Sequence, residues 1–154
     1  MRTLSLDALR EAVTRLALQA DFDLPPDMQS ALEAALAVET KPRGREALSM
    51  ILENAALARA ERVPLCQDTG MFNVWLEMGP GVCLEGLPAR AVDAGIAAAT
   101  VEGRLRASLV SDPLVGRSNT GNNTPAFLYL ESAGNEDEVR LTVMPKGGGS
   151  DRRG

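Results

Sequence analysis

The sequence predicts an α/β fold, of the α+β kind, in which N-terminal helices pack on a small mixed sheet. Three observations support this prediction. Apolar residues recur at helical spacing through the first third of the chain, alanine and leucine dominate the apolar residues while aromatic residues make up only 3%, and the segments that alternate like strands come later with one long helix among them. A length of 154 residues suits one domain, so we expect a single domain over residues 1–154.

Three helices are predicted before the first strand. Apolar spacing indicates an amphipathic helix over about residues 5–20, and Pro25 and Pro26 suit the first turn of the next helix. A third helix is predicted over about residues 44–62, which are rich in alanine and leucine. It should end there because Pro64 excludes the helical conformation from the residue before it. The apolar stripe expected on the second helix consists of Met28, Leu32, Ala35 and Leu36, and the buried face expected on the third consists of Leu48, Ile51, Leu52 and Ala55.

The second half of the chain predicts strands around one further helix. Residues 71–79 alternate like a strand. A helix is expected from Pro88 to about Leu105, and its alanine and glycine residues would let a neighbouring element pack very close. Two more strands are predicted around Tyr129 and Leu141, joined as a β-hairpin. One face of the first strand would present Phe72, Val74, Leu76 and Met78, and the other Met71, Asn73, Trp75 and Glu77.

Composition excludes several classes of function. The net charge of −5 argues against nucleic acid and anionic membrane as partners, so an anionic small substrate would need a local basic cluster. No apolar run reaches the roughly 18 residues of a membrane span, and the acidic N-terminus does not resemble a secretory signal, so we expect a cytoplasmic protein. The sequence contains no histidine and only two cysteines, which excludes histidine-dependent catalysis, histidine metal sites and a disulfide framework.

The first candidate site is the sequence Cys-Gln-Asp-Thr-Gly at residues 66–70, between a predicted helix and a predicted strand. Cys66 could act as a metal-ligating thiolate or as a nucleophile, Asp68 as a general base, and Gln67 could orient a carboxylate. The alternative is a simple turn, because aspartate, threonine and glycine are good turn formers.

Three further candidates follow along the chain. Arg104, Arg106 and Arg117 lie close in sequence, and arginine binds carboxylates through two points, although cations after a helix can simply complement its dipole. The polar segment 117–125 is either a binding loop or a well-ordered turn. The sequence Lys-Gly-Gly-Gly-Ser at residues 146–150 could bring backbone amides to an anion, or form a flexible tail. Cys83 has no partner in spacing and is expected to be a small core residue.

Three of these motifs together resemble one family. Residues 66–70 with the helix before them, the segment from Leu105 to Ala126, and residues 145–150 resemble the opening half of the α-subunit of class I iron–sulfur fumarate hydratase and L-tartrate dehydratase. The motifs occur in the family's order and near its spacing, across roughly residues 44–150.

The resemblance implies a function and a cofactor. Members of this family hold a [4Fe–4S] cluster by three cysteines, with the fourth iron open as a Lewis acid, and they reversibly hydrate or dehydrate a C4 dicarboxylate such as fumarate/malate or tartrate/oxaloacetate. Carried over by motif, Cys66 is the first cluster ligand and Asp68 is implicated in proton transfer. The substrate-binding residues implied are Gln67, Arg106, Lys146 and Gly149, the last through its backbone.

The resemblance also implies partners. The family's α-subunit is about twice as long, and its other two cluster cysteines follow the Gly-Gly-Gly-Ser segment, where Cys83 does not lie. We therefore expect this N-terminal part to work with the rest of the α-subunit and with a β-subunit. The alternative is a non-catalytic truncated fragment that binds no cluster. In either case, the Cys66 loop, Arg106 and residues 147–149 are expected to converge at one edge of the sheet.

Overall fold

A computed structural model describes residues 2–132 and 134–148. The elements in chain order are β1 (Arg2–Leu4), α1 (Leu6–Phe22), α2 (Pro26–Val38), α3 (Pro42–Glu61), β2 (Met71–Met78), β3 (Val82–Leu84), α4 (Pro88–Glu102), β4 (Phe127–Ser132) and β5 (Val139–Lys146). Helices and a small mixed sheet are thus combined as predicted. Within these described ranges, every helix is too short or too polar to cross a lipid bilayer.

The central sheet contains three strands in the order β4-β2-β5. β2 pairs in parallel with β4 and antiparallel with β5, which confirms a mixed sheet. The predicted hairpin between β4 and β5 is wrong, because β2 lies between them. The chain passes over the end of β2 instead, where the N–H groups of Gly79 and Gly81 donate to the carbonyls of Glu138 (2.8 Å) and Glu136 (2.7 Å).

The central position of β2 follows from its apolar face. Phe72, Val74 and Leu76 are fully buried, whereas the residues of β4 are mostly exposed. A strand with such a face gains most by sitting mid-sheet, where neighbours on both sides help to exclude water. The sequence predicts strands at β2, β4 and β5 from their hydrophobic patterns, but these patterns do not distinguish a central strand from an edge strand.

Helices α1 and α4 cover this buried face of the sheet. They approach each other closely, because a Cβ added at Gly95 would lie 2.8 Å from the carbonyl oxygen of Arg10 and 2.9 Å from Val13 Cβ. Thr14 Oγ1 also donates to the carbonyl of Gly95 at 3.1 Å. The predicted close packing of the alanine-rich helix is confirmed, although this helix ends at Glu102 rather than near residue 105.

Helices α2 and α3 pack mainly on each other and bury little. No residue of α2 is buried, and on α3 only Ala55 and Ala58 are. The buried face predicted for α3 is confirmed at Ala55 and wrong at Ile51, which is 47% exposed, and the apolar stripe of α2 includes Met28, which is 51% exposed. Helical periodicity identifies an apolar stripe but does not show whether another element covers it.

A second, two-stranded parallel sheet formed by β1 and β3 was not predicted. Each strand has three residues, too few for an alternating pattern to be recognised. Cys83 lies in β3, opposite Thr3, and is half-buried, so its side chain is only partly enclosed.

Candidate functional site

The loop from residue 62 to residue 70 begins at a strained helix end. Arg62 adopts a left-handed conformation (φ 54°) and ends α3, before Pro64. Two hydrogen bonds then hold Leu65, since its N–H donates to the carbonyl of Asp21 at 2.8 Å and its own carbonyl accepts from Asn54 Nδ2 at 3.0 Å. These two bonds fix the position of the backbone immediately before residues 66–70.

Gly70 is the point where this loop meets two other segments. Its N–H donates to Ser108 Oγ at 3.0 Å, which links it to the segment after α4. Its φ of 72° suits glycine, and an added Cβ would collide with the carbonyl of Lys146 and lie 2.6 Å from Gly147 Cα. Only a glycine fits between these neighbours in this conformation.

Asp68 contacts the glycine-rich segment directly. Its Oδ2 accepts the N–H of Gly148 at 2.9 Å. A Cβ at Gly147 would lie 2.9 Å from both the carbonyl oxygen and Oδ2 of Asp68, so the absence of a side chain there lets the carboxylate approach the backbone. This bond fixes one oxygen of the carboxylate.

Asn123 fixes the segment that contains Arg106. Its side chain is fully buried, and its left-handed conformation (φ 57°) is one that asparagine tolerates. Nδ2 donates to the carbonyl of Arg106 at 3.0 Å, and Oδ1 accepts from the N–H groups of Ser108 at 2.9 Å and Leu109 at 3.4 Å. Arg106 therefore lies just after the helix end expected from the sequence, in a segment outside any helix or strand that the Asn123 side chain holds in place.

Two cavities adjoin at Arg106. One, of about 610 Å³, is lined by Asp68, Gly70, Met71, Arg106, Ser108, Leu109, Arg117, Lys146 and Gly148. The other, of about 400 Å³, is lined by Pro64, Cys66, Gln67, Arg104 and Arg106. A third cavity, of about 580 Å³ between α1, α3 and β5, has mainly apolar walls and none of the predicted site residues, so we assign the site to the first two.

The larger of the two cavities is locally basic. Arg106, Arg117 and Lys146 line it together with one carboxylate, that of Asp68, in a chain whose net charge is −5. Among the described residues, neither arginine forms an ion pair with a carboxylate. Such a surface attracts small anions that the chain as a whole would repel.

The predicted convergence is thus present. Cys66, Gln67, Asp68, Arg106 and Lys146 all line these two adjoining cavities. Gly149, predicted to bind substrate, lies outside the described residues. The supporting roles of Asn123 and Ser108, and the bond from the Gly148 amide to Asp68, could not be predicted from the sequence, because bonds across such sequence separations leave no local pattern.

The cysteine of the site does not form a metal centre with other described residues. Cys66 is exposed, and its thiol lies 3.7 Å from Gln67 Oε1. Over residues 2–132 and 134–148, no group of three or more cysteine, aspartate or glutamate side chains could hold a metal ion. These residues do not by themselves fit a [4Fe–4S] cluster, for which they offer one thiolate.

A buried carboxyl lies behind the loop. Asp21 is 8% exposed, and its Oδ2 has no hydrogen-bond partner among the described residues. Desolvation by burial raises the pKa of Asp21 to about 7, because the charged form loses its water. Its backbone carbonyl accepts the N–H of Leu65, so a titratable residue sits at the base of the Cys66 loop.

Comparison with known proteins identifies the family of this chain. The sequence profile of the Fumerase family, described as fumarate hydratase, matches residues 10–154. The chain belongs to the fumarate hydratase (Fumerase) family. This family assignment confirms the resemblance seen in the motifs and identifies the chain as a member of a hydro-lyase family.

Two relatives within this hydro-lyase group are similar over nearly the whole chain. A protein of Methanocaldococcus jannaschii that has the name L(+)-tartrate dehydratase subunit alpha is 33% identical over 149 residues, which are 93% of this chain and 52% of that protein. One of Geobacillus stearothermophilus, with the name fumarate hydratase class I, is 28% identical over 152 residues, which are 96% of this chain and 29% of that protein. The chain spans about half the length of the first relative and under a third of the second.

Proposed function

We propose that this chain is a component of a hydro-lyase that reversibly hydrates or dehydrates a C4 dicarboxylate, such as fumarate/malate or tartrate/oxaloacetate. The observation that supports it most directly is the meeting of the Asp68 carboxylate, the Arg106 guanidinium and the Gly148 amide at one basic cavity. The family assignment and the names of the two relatives are consistent with this chemistry.

In this proposal the cationic and amide groups bind the substrate carboxylates. Arg106 would bind one carboxylate through two parallel hydrogen bonds, and Gln67 would orient it from the adjoining cavity. Lys146 would add positive charge, and the backbone amide of Gly149 would donate to the substrate. Binding energy from these groups would hold the diacid in a fixed orientation beside Asp68.

Asp68 would transfer the proton. In dehydration, a base removes a proton from the carbon next to one carboxylate while the hydroxyl leaves from the neighbouring carbon, and hydration runs the same step in reverse. The bond from Gly148 occupies Oδ2, which leaves Oδ1 as the oxygen to accept and return the proton. The carboxylate is held without a histidine, in keeping with a sequence that has none.

Cys66 would provide one thiolate to an iron–sulfur cluster, with the remaining ligands from polypeptide that this chain does not include. Such a cluster supplies a Lewis acid when bound. The partners would be the rest of an α-subunit and a β-subunit. A cytoplasmic location stays a prediction from the sequence.

The second candidate is a non-catalytic fragment that binds no cluster. The observation that favours it is that Cys66 is the one exposed cysteine among the described residues, and that no group of three possible metal ligands forms among them. Anaerobic reconstitution of the isolated chain with iron and sulfide distinguishes the two. Stoichiometric cluster absorbance and iron would refute this candidate, and their absence would leave activity of the reconstituted assembly to decide.

The enzyme hypothesis is tested in the intact protein, assembled anaerobically with its partner polypeptides. We expect Asp68→Asn to reduce kcat about 10²- to 10⁴-fold, the usual contribution of a positioned acid–base group. Asp27→Asn, on the exposed α2 helix, is the matched control and should keep wild-type kcat. Wild-type turnover by Asp68→Asn, or no turnover of any C4 diacid by the cluster-loaded wild type, would refute the proposal.

A further inference from the structure

Arg117 lies on the wall of the same cavity as Arg106, although the two are eleven positions apart in a loop with no helix or strand between them. From the sequence, this arginine is a candidate to bind a carboxylate, in a segment that is either a binding loop or a well-ordered turn. In the structure this segment is a hydrogen-bonded turn, and its arginine also lines the cavity.

Arg117 belongs to a loop, residues 109–120, whose two ends are joined by hydrogen bonds. The N–H of Thr120 donates to the carbonyl of Leu109 at 2.9 Å, and the N–H of Ser111 donates to the carbonyl of Ser118 at 2.8 Å. These two bonds hold the ends of the loop together. Its position is therefore fixed relative to the Arg106 segment, to which Leu109 belongs.

Asp112 accepts three hydrogen bonds that fix the turn at residues 112–117. Its Oδ1 accepts the N–H groups of Leu114 (2.8 Å) and Val115 (3.1 Å), and its carbonyl accepts the N–H of Arg117 at 2.8 Å. Arg117 is thereby held in a left-handed conformation, φ 47°, that costs an ordinary residue energy. The turn thereby fixes the backbone from which this exposed arginine reaches the cavity wall.

The chemistry of the cavity then points to a ligand with two negative groups. Arg106 and Arg117 are both without a carboxylate partner among the described residues, and both face a volume of about 610 Å³ that contains Asp68. A guanidinium group can donate two parallel hydrogen bonds to one carboxylate, so two arginines at one cavity suit a ligand with two carboxylates.

We propose that Arg117 binds the substrate carboxylate that Arg106 does not bind, and so selects dicarboxylates over monocarboxylates. This inference rests on the proposed function, because it takes the diacid substrate from there. It adds a specificity-determining residue to the substrate-binding residues that the resemblance implies, which are Gln67, Arg106, Lys146 and Gly149.

The test is steady-state kinetics of the intact, cluster-loaded protein with a C4 diacid and with its monoamide, which keeps one carboxylate. Arg117→Asn removes the charge with a residue that tolerates the left-handed backbone. We expect KM for the diacid to rise about 10- to 100-fold, the effect of a lost charge-assisted hydrogen-bonded pair, and KM for the monoamide to change little. The preference for the diacid should therefore largely disappear.

Arg62→Asn is the matched control. Arg62 is also an arginine with a left-handed backbone (φ 54°), but its guanidinium packs 5.0 Å from the centre of the Phe22 ring, outside this cavity. This control should keep both KM values. If Arg117→Asn does not fold, Arg117→Lys replaces it, because lysine keeps the positive charge but cannot donate two parallel hydrogen bonds to one carboxylate. Its preference for the diacid over the monoamide should lie between those of the wild type and a variant without the charge.

The outcomes separate the two proposals. An active wild type with Arg117→Asn showing an unchanged diacid KM, or an equal rise for diacid and monoamide, would overturn the role of Arg117 alone. An equal rise is what a merely structural role would produce. A cluster-loaded wild type that turns over no C4 diacid would overturn the proposed function, and this inference with it.

Discussion

Replacing Asn123 with alanine tests whether one buried amide holds the candidate site together. The substitution leaves the Ser108 N–H and the Arg106 carbonyl without the partners now at 2.9 Å and 3.0 Å. Each stranded group costs about 1–3 kcal/mol. Alanine also tolerates the left-handed backbone at φ 57° less well than asparagine, by roughly 1 kcal/mol.

The sum is a loss of about 3–7 kcal/mol in the free energy of unfolding. That is a large share of the 5–15 kcal/mol typical of a folded domain, so Asn123→Ala is expected to unfold at much lower denaturant concentration. The assay is equilibrium denaturation followed by the fluorescence of Trp75, the single tryptophan, which stacks on Tyr129 with ring centres 5.1 Å apart.

Asn119→Ala is the control for this experiment. Asn119 belongs to the same polar loop and also makes two short side-chain bonds, to the carbonyl of Ala107 and the N–H of Gly121, both at 2.7 Å. It is exposed, so water can replace those bonds and the expected loss is about 1 kcal/mol. If the two variants were destabilised equally, the reasoning that burial of Asn123 makes its bonds costly to lose would be refuted.

Two further predictions concern stability. Because burial raises the pKa of Asp21 from 3.8 to about 7, the folded state keeps a proton that the unfolded state releases, so stability should fall as pH rises from about 4 to about 7 and then level off. Asp21→Asn should flatten this dependence in denaturation experiments across that range, Asp27→Asn should not, and a wild-type slope in Asp21→Asn would contradict the assignment. Gly95→Ala should lower the free energy of unfolding by about 1–3 kcal/mol, because its Cβ would press into α1, whereas Gly116→Ala has no atom within 4 Å and should be nearly neutral. Equal melting temperatures for the two alanine variants would show that α1 and α4 can separate without cost.

Local signals predicted the elements well. Proline and helical spacing indicated the starts of α2 and α4, and alternation indicated β2 at Met71–Met78. These features depend on neighbours within a few residues, so one sequence contains them. The predicted hairpin failed because adjacency in sequence does not determine adjacency in a sheet, and the apolar face of β2 gave that strand the middle position.

For the site, the motifs identified residue types while the fold determined their neighbours. Cys66, Asp68 and Arg106 were recognisable as candidates because thiolate, carboxylate and guanidinium each have limited chemistry. That Asp68 is bonded to Gly148, eighty positions away, could not be inferred from either segment alone. Asn123 was likewise indistinguishable from its neighbouring asparagines until its burial was known.

The sequence by itself determined the family, the lack of histidine in these 154 residues and the set of charged and polar side chains available at the candidate site, because these depend on which side chains exist and in what order. Tertiary structure alone decided that β2 is central, that Gly70 joins three segments and that Arg117 shares a cavity with Arg106. The physical reason is distance. Hydrogen bonds and buried contacts act over a few ångströms between residues that may lie eighty positions apart, and only folding brings them within that range.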